Sequence, residues 1–217
     1  MNSTSPKQAD WYFDFISPFA YFQFARFHML PTPLGIDCKP VLFAGLLGHW
    51  EHKGPAEIPE KRRHTYRYCK WFADRNGIAF TMPPAHPFNP LPALRLAVAL
   101  DGSREAIATI FDVIFGEGRD VAAEDGWAMA TERLGLSETE AADRIADPLV
   151  KARLRSNTEE AVSKGVFGVP TFAVDGELFW GVDSTDMLLD YLADPSLFTT
   201  GDMARISDLP IGQARKL

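Results

Sequence analysis

The residues of this chain best suited to chemistry stand at the junctions between elements. In "WYFDFISPFAY" (11–21) an apolar stretch runs straight into Ser17-Pro18. Serine before proline can be a helix start, because its oxygen accepts an orphan amide N–H and proline tolerates the first helical position. The same position can instead hold a reactive group, and residue type leaves both readings open. Asp183-Ser184 stands before "TDMLLDYL" with a similar double reading, since a capped helix start is also an anion site. Val169-Pro170 precedes another apolar run. A proline there cannot donate a ladder hydrogen bond, and on residue type it is an ordinary first residue of a strand.

Other reactive residue types are sparse. The two cysteines, Cys38 and Cys69, form no C-x-x-C pair, which argues against a disulfide framework or a thiol redox motif. The five histidines lack metal-ligand spacing, so no metal site is expected. A helix from Glu60 carries Lys61, Arg62, Arg63, Arg67, Lys70 and Arg75 in a chain of net charge -7. Such a run is ordinarily a solvated face; the sharper reading turns one or two of these cations towards a cleft that attracts a carboxylate. The acidic balance argues against a nucleic-acid binder, since phosphate contact wants a basic face. No apolar run is long enough to span a bilayer, and the polar start lacks a signal-peptide layout, so a cytoplasmic protein is expected.

These residues must be positioned by the elements around them. Residues 11–15 read as a short buried strand, Phe19 to Leu30 as a helix with a narrow polar stripe (Gln23, Arg26, His28), and 35–43 as a second strand. Strand, helix and strand in that order predict a βαβ unit. The middle is helical: 60–77 ends at Asn-Gly, and 103–116 places Ile107, Ile110, Phe111 and Ile114 on one face. "SETE" (137–140) is a capping box, and Asp147-Pro148 opens a helix to about Lys164. "MPPAHPFNPLP" (82–92) reads as an irregular loop. "TFAVDGELFWG" (171–181) is a hairpin around Asp175-Gly176, followed by a helix that Asp183 or Ser184 caps. The tail from Asp194 is weakly patterned.

That order is an α/β, thioredoxin-like fold (βαβ…ββα) with a large all-helical insertion. Residues 10–45 and 165–193 make a discontinuous thioredoxin-like domain, 46–164 the insertion, and 194–217 a C-terminal tail. Within it, "FDFISPFAY", "GVFGVPTF" and "FWGVD" resemble the signature segments of the 2-hydroxychromene-2-carboxylate isomerase family, kin of the kappa-class glutathione transferases. The resemblance runs from about residue 10 to 192.

The resemblance implies glutathione as cofactor. Ser17 stands where redox relatives carry a cysteine, so the thiol would arrive on glutathione and be biased towards thiolate at the helix start. It also implies a cis Val169-Pro170 bond that frees the Val169 backbone for the cysteinyl unit. Trp180, Gly181, Val182, Asp183 and Ser184 would hold the γ-glutamyl group, Asp183 taking its ammonium. Trp50, His52, Lys53 and His86 would line a substrate pocket; His52 stands where the naphthalene-pathway members carry Asn. The implied activity is glutathione-dependent isomerisation of a small aromatic or unsaturated carboxylate, through reversible thiolate addition, in a homodimer. A kappa-like transferase or peroxidase and a non-catalytic thioredoxin-fold binding module are the alternatives.

Overall fold

The computed structural model describes residues 7–213. Among these residues four strands, β1 (Gln8–Phe13), β2 (Gly35–Pro40), β3 (Thr171–Val174) and β4 (Glu177–Trp180), form one sheet in the order β2-β1-β3-β4. β1 runs parallel to β2 and antiparallel to β3, and β3 and β4 form the expected hairpin with Asp175 and Gly176 both at positive φ. The βαβ…ββα reading therefore holds. β1 begins three residues earlier than predicted, because Gln8–Asp10 pair with Gly35–Asp37.

Among the described residues ten α-helices pack around the sheet: α1 (Pro18–Ala25), α2 (Phe43–His49), α3 (Pro59–Asn76), α4 (Leu91–Ala99), α5 (Arg104–Phe111), α6 (Glu124–Arg133), α7 (Glu138–Ala146), α8 (Pro148–Ser163), α9 (Thr185–Ala193) and α10 (Gly201–Ser207). Several differ from expectation. β2 stops at Pro40, so residues 41–43 leave the sheet and α2 follows. The first helix ends at Ala25, and residues 27–29 continue as a 3-10 turn. The proline-rich loop gives way to α4 at Leu91, with Pro92 within its first turn, where its missing N–H costs nothing. α5 runs on as a π turn over 112–116, and the tail carries α10. The capping box forms as predicted between Ser137 and Glu140. Among the described residues no helix is long and apolar enough to cross a membrane.

The main core lies between one face of the sheet and the helical insertion, and is aromatic. Trp11, Phe13, Phe15, Phe22, Phe111, Phe115, Phe172 and Phe179 are fully buried, with the Trp11 and Phe13 rings stacked 4.4 Å apart. A smaller core of Tyr12, Val41, Leu46, Ala161, Val166 and Val169 lies on the other face. At its rim, Lys39 and Lys164 each bond both Asp10 and Glu160, while the Tyr12 hydroxyl donates to Glu160 at 3.0 Å. Burial opposes the Glu160 charge, but the bonds from Lys164, Lys39 and Tyr12 outweigh it and hold its carboxyl at about 2. This network ties the end of α8 to β1 and β2, fixing the chain just before Val169.

Candidate active site

A cavity of about 700 Å³ opens between the β1–α1 junction, α2, α3, the proline-rich loop and residues 167–169. Ser17 lies in its wall, 8% exposed. The serine adopts the extended backbone of an N-cap, and its Oγ accepts the Ala20 N–H at 3.3 Å. Its hydroxyl donates to the Val169 carbonyl oxygen at 3.4 Å, long for an O–H···O bond, so a better acceptor can displace it. The Val169-Pro170 bond is cis, as the resemblance implied. Two further donors stand here: among the described residues, the N–H groups of Phe19 and Val169 have no partner, and Pro18 has no N–H at all. No acidic residue occupies the first turn of α1. The junction is thus a small set of donors, suited to a soft or oxygen anion.

Beside Ser17 the wall holds Asp14, whose side chain is fully buried. Its Oδ1 accepts the Ile16 N–H at 3.0 Å and its Oδ2 the Phe43 N–H at 2.9 Å, clamping the start of α2 to the end of β1. Burial raises its pKa to about 7 against the pull of these two donors. Burial thus opposes the charge of this carboxyl in the wall beside Ser17. Sequence reading passed over Asp14; a single charged residue inside "WYFDFI" was the available signal.

Opposite, His86 sits on the chain just ahead of Ser17. Its Nε2 is 2.7 Å from the Ile16 carbonyl, so this nitrogen carries the proton, and its Nδ1 is 2.8 Å from the Tyr66 hydroxyl. Burial lowers the pKa of His86, favouring the neutral ring. His52, Lys53 and Lys61 also border the cavity, all exposed, with His52 Nε2–H donating to the Phe167 carbonyl at 3.3 Å. Among the described residues neither Lys53 nor Lys61 has an ion-pair partner. Of the basic residues on α3, Lys61 is the one that borders the cavity. Trp180 and Phe167 pack edge to face across Gly168 at one end. Trp50 does not border the cavity, contrary to expectation: its indole N–H turns to the Val166 carbonyl at 2.9 Å and supports the 165–170 segment from outside.

Gly181, Val182, Asp183 and Ser184 lie beyond the cavity lining, on a turn anchored to α1. The anchor is Gln23, 1% exposed, which accepts from Trp11 Nε1 at 2.8 Å and donates to the Gly181 carbonyl at 2.9 Å. Arg26 reaches the Val182 carbonyl at 3.4 Å. The polar stripe of α1 is therefore partly buried against this turn, a role sequence reading missed. Neither Asp183 nor Ser184 caps α9 through its side chain. Residues 182–184 form a 3-10 turn, and the Ser184 hydroxyl bonds back to the Gly181 carbonyl at 2.8 Å. The N–H groups of Val182 and Asp183 and the exposed Asp183 carboxylate have no partner among the described residues.

With this geometry in view, comparison with known proteins places the chain. It belongs to the DSBA-like thioredoxin domain family, which it matches over residues 8–193. A 2-hydroxychromene-2-carboxylate isomerase of Sphingobium xenophagum is 27% identical over 193 residues, covering 87% of this chain and 99% of that protein. Glutathione s-transferase kappa 2 of Caenorhabditis elegans is 27% identical over 209 residues, covering 87% and 93%. The solved structure of a 2-hydroxychromene-2-carboxylate isomerase matches with a TM-score of 0.76 at 22% identity, over 89% of this chain and 100% of that one, which shows a common fold.

Proposed function

We propose that this chain is a glutathione-dependent isomerase of a small aromatic or unsaturated carboxylate. The observation that carries the reading is the Ser17 hydroxyl bonded to the carbonyl of Val169, whose N–H has no partner among the described residues, in the wall of a cavity that Lys53 and Lys61 also border. The chain brings no thiol of its own to that place. Cys38 and Cys69 are free but buried elsewhere, and burial pushes both up to about 12. A thiol used here must be supplied by a ligand.

The residues present fit glutathione. Ser17 Oγ–H and Phe19 N–H would donate to its sulfur, and Val169 would pair through N–H and C=O with the cysteinyl unit as an added strand does. Asp183 would take the ammonium of the γ-glutamyl end, and the Val182 and Asp183 N–H groups its carboxylate. When bound, glutathione would supply a thiolate for reversible addition to a conjugated acid, the chemistry that lets a double bond rotate. The protein's own part is to stabilise the sulfur charge through Ser17, to hold the substrate carboxylate by Lys53 and Lys61, and to keep a proton on Asp14 near neutral pH. His86, a neutral donor committed to Ile16, shapes the wall.

The experiment is conversion of 2-hydroxychromene-2-carboxylate by purified protein, followed by absorbance with and without glutathione while free thiol is counted. Conversion that requires glutathione without consuming it supports the isomerase. The 27% likeness to a kappa transferase keeps one other reading, transfer of glutathione to an electrophile, which consumes one thiol per turnover.

A further inference from the structure

The peptide that joins Ile16 to Ser17 is gripped at both edges. Its N–H, on Ser17, donates to the Asp14 carbonyl at 3.1 Å, and its C=O, on Ile16, accepts from His86 Nε2 at 2.7 Å. Ile16 lies past the end of β1 and ahead of α1, so neither the sheet nor the helix serves that carbonyl. Among the described residues its hydrogen-bond partner is His86. A peptide is planar, so holding it at both edges fixes the dihedrals on either side of it, ψ of Ile16 and φ of Ser17. The second of these sets where the Ser17 side chain points.

His86 is in turn held by its neighbours. The Tyr66 hydroxyl lies 2.8 Å from its Nδ1 and 2.8 Å from its backbone carbonyl oxygen, so one phenol proton serves either acceptor. The Tyr66 and Phe88 rings both stand edge to face against the imidazole, their centroids 5.3 and 5.9 Å from it. With the Nε2 proton committed to Ile16, the neutral ring can only accept at Nδ1, and a hydroxyl there suits that tautomer. Tyr66 comes from α3, the helix that also brings Lys61 to the cavity, and Tyr66, His86, Ile16 and Ser17 all border that space. A chain of bonds therefore runs from α3 through the proline-rich loop to the residue before Ser17.

We propose that His86, oriented by Tyr66, is the positioning residue that aims Ser17 at its ligand. The inference rests on the reading of Ser17 as the place where a glutathione sulfur is held. His86 works through the backbone, since its Nε2 proton is spent on Ile16. Without that bond the Ile16–Ser17 peptide is free to turn, and the Ser17 Oγ–H and the Phe19 N–H no longer converge on one point. Donors that are aimed before the charge develops are worth far more than donors that must reorient to meet it. A tie that merely fastened the proline-rich loop to the fold would contribute stability and nothing else.

The test uses the full chain labelled with 15N, native and as His86→Phe, His86→Gln and Tyr66→Phe. Phenylalanine keeps a ring without a donor, whereas glutamine keeps an N–H that can reach Ile16. In the free protein the HN–Hα coupling of Ser17 reports its φ, which is -95°. That coupling should change in His86→Phe, change less in Tyr66→Phe and return towards the native value in His86→Gln. With glutathione present, His86→Phe should raise the pKa of the bound thiol towards the free value and lower kcat about 10- to 100-fold. The KM for glutathione should move little, because Val169 and the turn at 182–184 would still hold it, and His86→Gln should recover most of the loss. A Ser17 coupling that keeps its native value in His86→Phe would overturn the proposal, whatever stability is lost. So would a His86→Gln protein as impaired as His86→Phe. If the native protein leaves the glutathione thiol at its free value, the reading of Ser17 as a sulfur site falls instead, and the coupling still decides whether His86 aims Ser17.

Discussion

The Ser17 hydroxyl stands 3.4 Å from the Val169 carbonyl oxygen, a bond that joins two segments 152 residues apart in the chain and is too long to satisfy either group well. A helix cap and a strand-like edge thus face each other with donors to spare. If those donors serve a bound sulfur, Ser17→Ala should lower kcat/KM for the glutathione-dependent reaction roughly 10- to 100-fold, the worth of a hydrogen bond to a charged group. The same change removes an N-cap and should cost about 1 kcal/mol of stability. Kinetics and denaturant unfolding of one variant separate these two effects.

Gln23 offers a different kind of test, since it lies outside the cavity lining but fixes the turn at Gly181. Gln23→Leu leaves the Trp11 indole N–H and the Gly181 carbonyl without their partner. Unfolding should register a loss of roughly 2–4 kcal/mol. Calorimetry should show weaker glutathione binding with little change for a substrate analogue that lacks the γ-glutamyl unit.

Asp14 should write its burial into the pH dependence of stability. Its pKa is about 7 in the folded protein and 3.8 in an open chain, so the folded state binds the proton more tightly. The stabilisation from that proton is complete below about pH 3.8 and is lost as pH rises towards 7. Relative to Asp14→Asn, the native protein should lose stability at up to about 1.4 kcal/mol per pH unit across that window, roughly 4 kcal/mol in all, and run parallel above it. Parallel curves between pH 4 and 7 would show that Asp14 is ionised throughout.

Lys61 is exposed at the cavity and lacks an acidic partner among the described residues. Lys61→Gln should raise KM for a carboxylate substrate about two- to fivefold with kcat nearly unchanged, as expected for an exposed charge that binds ground state and transition state alike. The effect should shrink at high salt.

The outline of the fold was legible because its signals are local. The Asp175-Gly176 turn, the Ser137–Glu140 box and the Ile107–Ile114 face each declare themselves within a few residues. What was missed depends on distant partners. α2 has two glycines and no side-chain cap, and α4 starts behind a proline-rich stretch, so both owe their helical state to the surfaces they cover. Ser17 and Val169 were found through their motifs, and the chain brings them together. Asp14 and Gln23 carry no local mark that separates a buried, bonded polar residue from a solvated one; their partners lie 29 and 158 residues away at Phe43 and Gly181. Trp50 failed in the opposite way, since its place in a loop suggested the pocket while the Val166 carbonyl turned it aside.

The most direct measurement is the pKa of the glutathione thiol on the protein, followed by thiolate ultraviolet absorbance across pH for the native chain and for Ser17→Ala. Thiolate stabilised at Ser17 should titrate well below the free cysteine value of about 8.5 in the native protein and return most of the way in the variant. A bound thiol that titrates like free glutathione in both proteins would contradict the account.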